Sequence, residues 1–275
     1  MSKLAALQTD CAIGDIGANV GNAMELIDGA GAAGADLAVL PECFSTGLPA
    51  DLADLAEVVP GATSEALCAA AAGNRLWLVA GVAEKTDEGV ANTALVINPQ
   101  GVLVARYHKR FLYMAEADVF TRGSEGLVVD MGFVTAGITI CYDYMFPEYT
   151  RALVDAGARL IAHSTAWITT DLCEQWGYDA RRMYPAQSIT RAVENGVFLV
   201  TANHCGTAYD AAGCLRPVGK SCIIAPWGEI LAAVDMGPGV AVADVDFADA
   251  DRWAADAAPY LEDHRLHPIP PINSI

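Results

Sequence analysis

Runs of consecutive apolar residues recur along the chain, separated by stretches in which apolar side chains return every third or fourth position. The first pattern marks buried strands and the second marks one face of a helix. Residues 3–8 read as a strand, and 18–30 as a helix with the apolar stripe Val20, Ala23, Met24, Ile27 and Ala30. A second strand follows at 36–40. The alternation then predicts a helix over 64–72, strands over 76–82, 93–98 and 103–107, and a turn at Asn98-Pro-Gln-Gly101. Strands at 128–129 and 134–140, a helix at 148–156 and a strand at 159–163 continue the series. A long amphipathic helix around 185–194 precedes strands at 198–203, 221–225, 230–234 and 240–245 and a final helix at 248–261. Pro268-Ile-Pro-Pro-Ile272 is expected to be extended, because proline cannot donate to a helix or a central ladder.

Two local patterns refine this. Gly29-Ala-Gly31-Ala-Ala-Gly34 spells the dinucleotide fingerprint, but it follows a helix and precedes a strand. A phosphate-binding loop needs the reverse order, with the glycines opening a helix, so these glycines are assigned to helix termination. Residues 32–40 also resemble 155–163, each a helix end, a Gly-Ala turn and a buried strand, which hints at two related halves. Without a low-complexity linker, the expectation is one α/β domain over 1–265 and an extended tail over 266–275, with two sheets packed between helices.

Composition narrows the function. Of the 275 residues, 53% are hydrophobic and 18% charged, which excludes disorder and implies a large buried interior. The net charge of −18 would repel phosphate backbones and anionic lipid, so neither nucleic acid nor a membrane surface is an expected partner. The eight cysteines lack the close pairs of structural zinc sites or disulfide scaffolds and read as free thiols of a reducing compartment. The first residues carry too short an apolar stretch for a signal peptide, no segment reaches the ~18 apolar residues of a membrane span, and the cytoplasm is the expected location.

The G-x-S-x-G elbow, the G-x-x-x-x-G-K-[ST] loop and the H-E-x-x-H helix are absent. His108, His163, His204, His264 and His267 show no metal-ligand spacing, although a Cys-His arrangement stays open. Three predicted strand ends do carry chemistry: Leu40-Pro-Glu42, Tyr107-His-Lys109 and Ile140-Cys141-Tyr-Asp. Active sites of layered α/β proteins gather at such ends. A free cysteine is only a few per cent thiolate at neutral pH, so it needs a base or a cation beside it, and Glu42 and Lys109 can supply both.

Together these segments resemble the nitrilase superfamily of carbon–nitrogen hydrolases over nearly the whole chain. The family's glutamate follows a buried strand as L-P-E, its lysine sits in Y-R-K, and its nucleophile in I-C-Y-D-x-x-F-P-E, matched here by Ile140 to Glu148. Further matches are Arg151, Gly157-Ala158, Trp167, Arg191 to Asn195, Asn203 with Gly206, Gly219-Lys-Ser221 and Pro226-Trp-Gly228. The resemblance implies a four-layer α-β-β-α sandwich of two internally related halves, a homodimer or larger homo-oligomer built on its helical faces, and no metal or organic cofactor. It also implies the catalytic set Cys141 as nucleophile, Glu42 as base and Lys109 as oxyanion donor, with Glu116 in the pattern E…F-x-x-G as a second glutamate holding the lysine and substrate. His108 and Arg110 depart from the usual residues around the lysine.

Within the superfamily, Cys-Trp-Glu marks nitrile cleavage, while Cys-Tyr-Asp, as at Cys141-Tyr142-Asp143, marks amide and carbamoyl cleavage. Carbamoylases of amino acids tend to place arginines where Tyr144 and Met145 stand. The implied substrate is therefore a small linear primary amide, with a carbamoylated amine second. Acyl transfer, nitrile hydrolysis or an idle binding subunit follow. Tyr142, Tyr144, Met145 and Trp167 are the candidate substrate-binding residues; Trp176 and Tyr178 suit packing equally well.

Overall fold

The computed structural model describes residues 1–210 and 212–266; of the expected tail, Leu266 instead closes a helix and 267–275 lie outside the described residues. Two sheets stack face to face, and the period of two along their strands shows how the sequence does this. Leu4, Ala6, Leu37, Val39, Val79, Ala94 and Val96 point from one sheet into a shared core. Leu160, Ala162, Phe198, Val200, Ala202 and Ile223 meet them from the other. The alternate residues, Ala5, Leu7, Ala38, Leu40, Leu78 and Ala80, pack under the helices Ile16–Ala32 and Ala62–Asn74. On the far side Ile161, Leu199 and Ile224 do the same under Pro147–Asp155 and Ala180–Asn195. Strands apolar on both faces are what a sheet covered on both sides requires. The layers are α-β-β-α.

The hint of two halves becomes a topological identity. In the first sheet, strand Ser2–Asp10 pairs parallel with Leu37–Val39, which pairs parallel with Trp77–Thr86. Gly89–Ile97 and Leu103–His108 continue it antiparallel, and Gly239–Val245 closes the opposite side antiparallel. In the second sheet, Thr135–Ile140, Leu160–Ser164 and Phe198–Ala202 are the parallel strands. Cys222–Ile224 and Ile230–Ala233 continue antiparallel, and Leu127–Asp130 closes the other side antiparallel. Both parallel crossovers in each half run through helices, and the first of each ends in a turn with left-handed glycine, Gly34 and Gly157.

Three expectations change. The helix Ile16–Ala32 runs through Gly29 and Gly31, and only Gly34 lies beyond its end. Gly31 serves packing instead, since a Cβ there would come within 2.0 Å of the Asn74 side chain on the neighbouring helix. The single final helix is two, Phe247–Ala257 and Tyr260–Leu266, because Pro259 between them has no N–H to continue the first. The hairpin of Trp77–Thr86 and Gly89–Ile97 is also longer than its apolar runs suggest, and the added rungs bury Glu84 and Asn92. Among the described residues no helix is long and apolar enough to cross a membrane.

Candidate active site

The first strand end delivers Glu42. Gly81 on the adjacent strand makes room for it, because a Cβ at 81 would lie 2.5 Å from the Glu42 Cα. The Glu42 carbonyl then accepts from His204 Nε2 at 2.8 Å and from the Tyr209 hydroxyl at 2.9 Å. A carbonyl only accepts, so the His204 proton is on Nε2 and its Nδ1 accepts from the Thr9 hydroxyl at 2.9 Å. Burial holds this imidazole neutral, its pKa down at about 4. The backbone of the glutamate is therefore fixed before its carboxylate is considered.

The Glu42 carboxylate is buried and fully directed. Oε1 accepts from Lys109 Nζ at 2.6 Å and from Asn92 Nδ2 at 2.7 Å, while Oε2 accepts from the Ala166 N–H at 2.9 Å. Lys109 comes from the end of Leu103–His108, with its N–H on Asn92 O and its carbonyl accepting from Gly123 N–H. Gly123 must be glycine, since a Cβ would meet His108 O at 2.0 Å, which explains the glycine of E…F-x-x-G. Glu116 lies on the turn Met114–Asp118 and grips Lys109 Nζ with both oxygens at 2.8 Å, while its Oε2 also accepts from the Tyr113 N–H at 2.7 Å.

The ammonium thus sits wholly buried between two carboxylates. Burial alone would strip its proton, but Glu42 and then Glu116 hold it protonated well above the ordinary lysine range. Burial raises Glu116, with Lys109 pulling it down and Glu42 pushing it up. The trio carries one negative charge with both carboxylates ionised, and its field reaches the cysteine.

Cys141 begins a tight turn, Cys141–Met145, at the end of Thr135–Ile140, and its φ of 42 is a left-handed value that few non-glycine residues adopt. Asp143 holds that turn. Its Oδ2 accepts from the Ile140 N–H and the Tyr107 hydroxyl, each at 2.8 Å, and its Oδ1 accepts from the Phe111 N–H at 3.1 Å. One carboxylate so ties the cysteine turn to both sides of the lysine, and burial pushes its pKa up to about 6 against those hydrogen bonds. Burial and then the Glu42 charge push the Cys141 thiol up, with Lys109 pulling it back. The residue stays partly accessible.

The four residues read as catalytic, Glu42, Lys109, Glu116 and Cys141, are brought together at one end of the sandwich. Of the candidate lining residues, Tyr142 lies half-buried between Tyr113 and Phe146, with ring centroids at 5.0 and 5.4 Å. Trp167 is buried against Tyr184, with its N–H on Asn203 Oδ1 at 2.8 Å. Tyr144 has no exposed surface; its ring stacks on His163 at 3.4 Å and its carbonyl accepts from Arg191. Met145 is exposed, with Gln187 Nε2 3.0 Å from its sulfur. Asn92, Tyr107 and Asp143 escaped the sequence reading as members of the cluster. The one signal for Asn92 is a polar residue inside the apolar run Val90 to Ile97.

The model of the carbon–nitrogen hydrolase family matches residues 3–255. The chain belongs to this family, within the nitrilase superfamily. A nitrilase of Pyrococcus abyssi is 35% identical over 253 residues, covering 90% of each chain. The omega-amidase of Homo sapiens is 28% identical, covering 83% of each. Among solved structures, a mutant amidase from Nesterenkonia sp. AN1, in which acrylamide has added to the active-site cysteine, has a TM-score of 0.75 at 28% identity, covering 96% of this chain and 100% of that one. A superfamily protein from Xanthomonas campestris shares the fold with a TM-score of 0.85 at 23% identity, covering 99% of each chain. The carbon–nitrogen hydrolase fold is thereby established for the chain.

Proposed function

We propose that this carbon–nitrogen hydrolase cleaves a small linear primary amide, releasing ammonia and a carboxylic acid through a thioester on Cys141. The observation that carries the reading is the buried Glu42–Lys109–Glu116 cluster facing a cysteine on a left-handed turn. Glu42 takes the thiol proton as the sulfur attacks the amide carbon. The Lys109 ammonium and the Tyr142 N–H stabilise the oxyanion, a contribution of roughly 3–4 kcal/mol for a well-aimed donor. The tetrahedral adduct collapses, the C–N bond breaks, and the proton on Glu42 leaves with ammonia. Glu42 then accepts a proton from water, whose oxygen attacks the thioester carbon; the C–S bond breaks and the proton returns to the sulfur.

The supports are distributed among residues with separate tasks. Asn92 and the Ala166 N–H aim the Glu42 carboxylate, and Glu116 holds Lys109 charged. Asp143 and Tyr107 fix the cysteine turn relative to the lysine.

The test is ammonia release by the purified protein from pools of primary amides, carbamoyl amines and nitriles, with Cys141→Ala in parallel. The expected result is release from the amide pool, at least about 10³-fold reduced in the variant. Release from carbamoyl amines or nitriles alone would replace the amide assignment, and release surviving in Cys141→Ala would overturn the nucleophile.

A further inference from the structure

Ile140 and Ser164 are level in the two parallel strands that flank the site, so the next residue of each chain, Cys141 and Thr165, leaves the sheet side by side. Thr165 is wholly buried. Its backbone is already committed: the N–H donates to Ala202 O at 2.9 Å, and the carbonyl accepts from the Glu42 N–H at 3.4 Å. The N–H that holds Glu42 Oε2 belongs to the following residue, Ala166. The Thr165 hydroxyl, by contrast, has no hydrogen-bond partner, and its residue stands beside Cys141, whose thiol pKa it acts to lower. A buried hydroxyl left without a partner is costly and calls for a reason.

The chemistry of sulfur supplies one. A thiol is a weak acceptor, whereas a thiolate accepts a hydrogen bond strongly. A hydroxyl beside Cys141 therefore gains little while the thiol keeps its proton and gains much once the sulfur is charged. We propose that Thr165 is a catalytic residue whose hydroxyl donates to the Cys141 sulfur whenever that sulfur carries negative charge. The inference rests on Cys141 being the nucleophile. The hydroxyl acts twice in the cycle, stabilising the sulfur as it gives its proton to Glu42 and attacks, and again as it departs from the thioester carbon. Being neutral, it does this without adding a charge to the site, where Lys109 already lies between two carboxylates. The charge of Lys109 and then the Thr165 side chain oppose the burial and the carboxylate field that keep the proton on the thiol.

Thr165→Val removes the hydroxyl at nearly constant volume and Thr165→Ser retains it. The readout is the rate at which iodoacetamide alkylates Cys141 as a function of pH, followed on the Cys141 peptide by mass spectrometry so that the other cysteines do not contribute. Thr165→Val is expected to alkylate about tenfold more slowly than the wild type below the titration midpoint and to move the midpoint up by about one pH unit. Its kcat falls by a similar factor with little change in KM. Thr165→Ser is expected within about twofold of wild type. Thermal unfolding of each variant verifies that it is folded, and Thr165→Ala carries the same comparison if Thr165→Val is not. Equal alkylation rates in the wild type and the folded hydroxyl-free variant would overturn the Thr165 assignment while leaving the nucleophile assignment standing. Ammonia release by Cys141→Ala would overturn the nucleophile assignment without altering the alkylation comparison.

Discussion

Glu42→Gln is expected to lower kcat for amide turnover by roughly 10³- to 10⁴-fold while the protein remains folded. The side-chain oxygen of glutamine can still accept from Lys109 and Asn92, and Lys109 keeps both oxygens of Glu116. The new amide nitrogen faces the Ala166 N–H, donor against donor, where Glu42 Oε2 accepts now. One such mismatch costs about 1–3 kcal/mol, which a domain of this size survives. What is lost outright is the group that takes a proton from sulfur, gives it to ammonia and takes another from water. The same variant should alkylate faster at Cys141, because the Glu42 charge is one of the influences raising that thiol. Faster alkylation with lost turnover separates loss of a base from collapse of the site. Turnover within about tenfold of wild type would remove Glu42 from the mechanism.

Lys109→Met should fail in a different way. It leaves Glu42 and Glu116, both buried, facing one another with no cation between them. Breaking a buried ion pair from one side costs about 3–5 kcal/mol, so this variant loses stability as well as oxyanion stabilisation. The loss depends on pH with a definite sign. Glu116 is already raised by burial and by Glu42, and without Lys109 the influence that pulls it down is gone. A carboxyl whose folded pKa lies above its unfolded value binds more protons in the native state, so its contribution to stability rises as pH falls through the folded pKa. Urea unfolding should therefore find the deficit relative to wild type smaller at pH 5 than at pH 7. A deficit of the same size at both would mean that the two carboxylates are not what Lys109 restrains.

The layers were legible because strands buried on both faces must be apolar at odd and even positions alike, and the segments around Leu37 to Leu40 and Leu160 to Ala162 are. The three strand ends were legible because Glu, Lys and Cys each follow such a run. Asn92 was not, because Glu84, Lys85 and Thr86 interrupt the apolar run and conceal that the hairpin continues through them. Asp143 stood in the motif as a mark of the amide branch, but its bonds to Tyr107 and Phe111 join segments far apart in the chain, and no local pattern encodes them. Tyr144 read as a lining residue from its place beside the nucleophile, whereas its ring stacks on His163 within the buried cluster. Local pattern named the reacting groups; the contacts that aim them are tertiary.

The most direct test of the account is to trap the covalent intermediate. The protein is mixed with a substrate amide identified by ammonia release, quenched in acid within the first turnovers, digested and mapped by mass spectrometry. The account predicts the acyl group of the substrate on the Cys141 peptide and on no other cysteine, and a burst of ammonia equal to the acylated fraction. Ammonia formed at full rate with the Cys141 peptide unmodified at every quench time, and undiminished in Cys141→Ala, would contradict it.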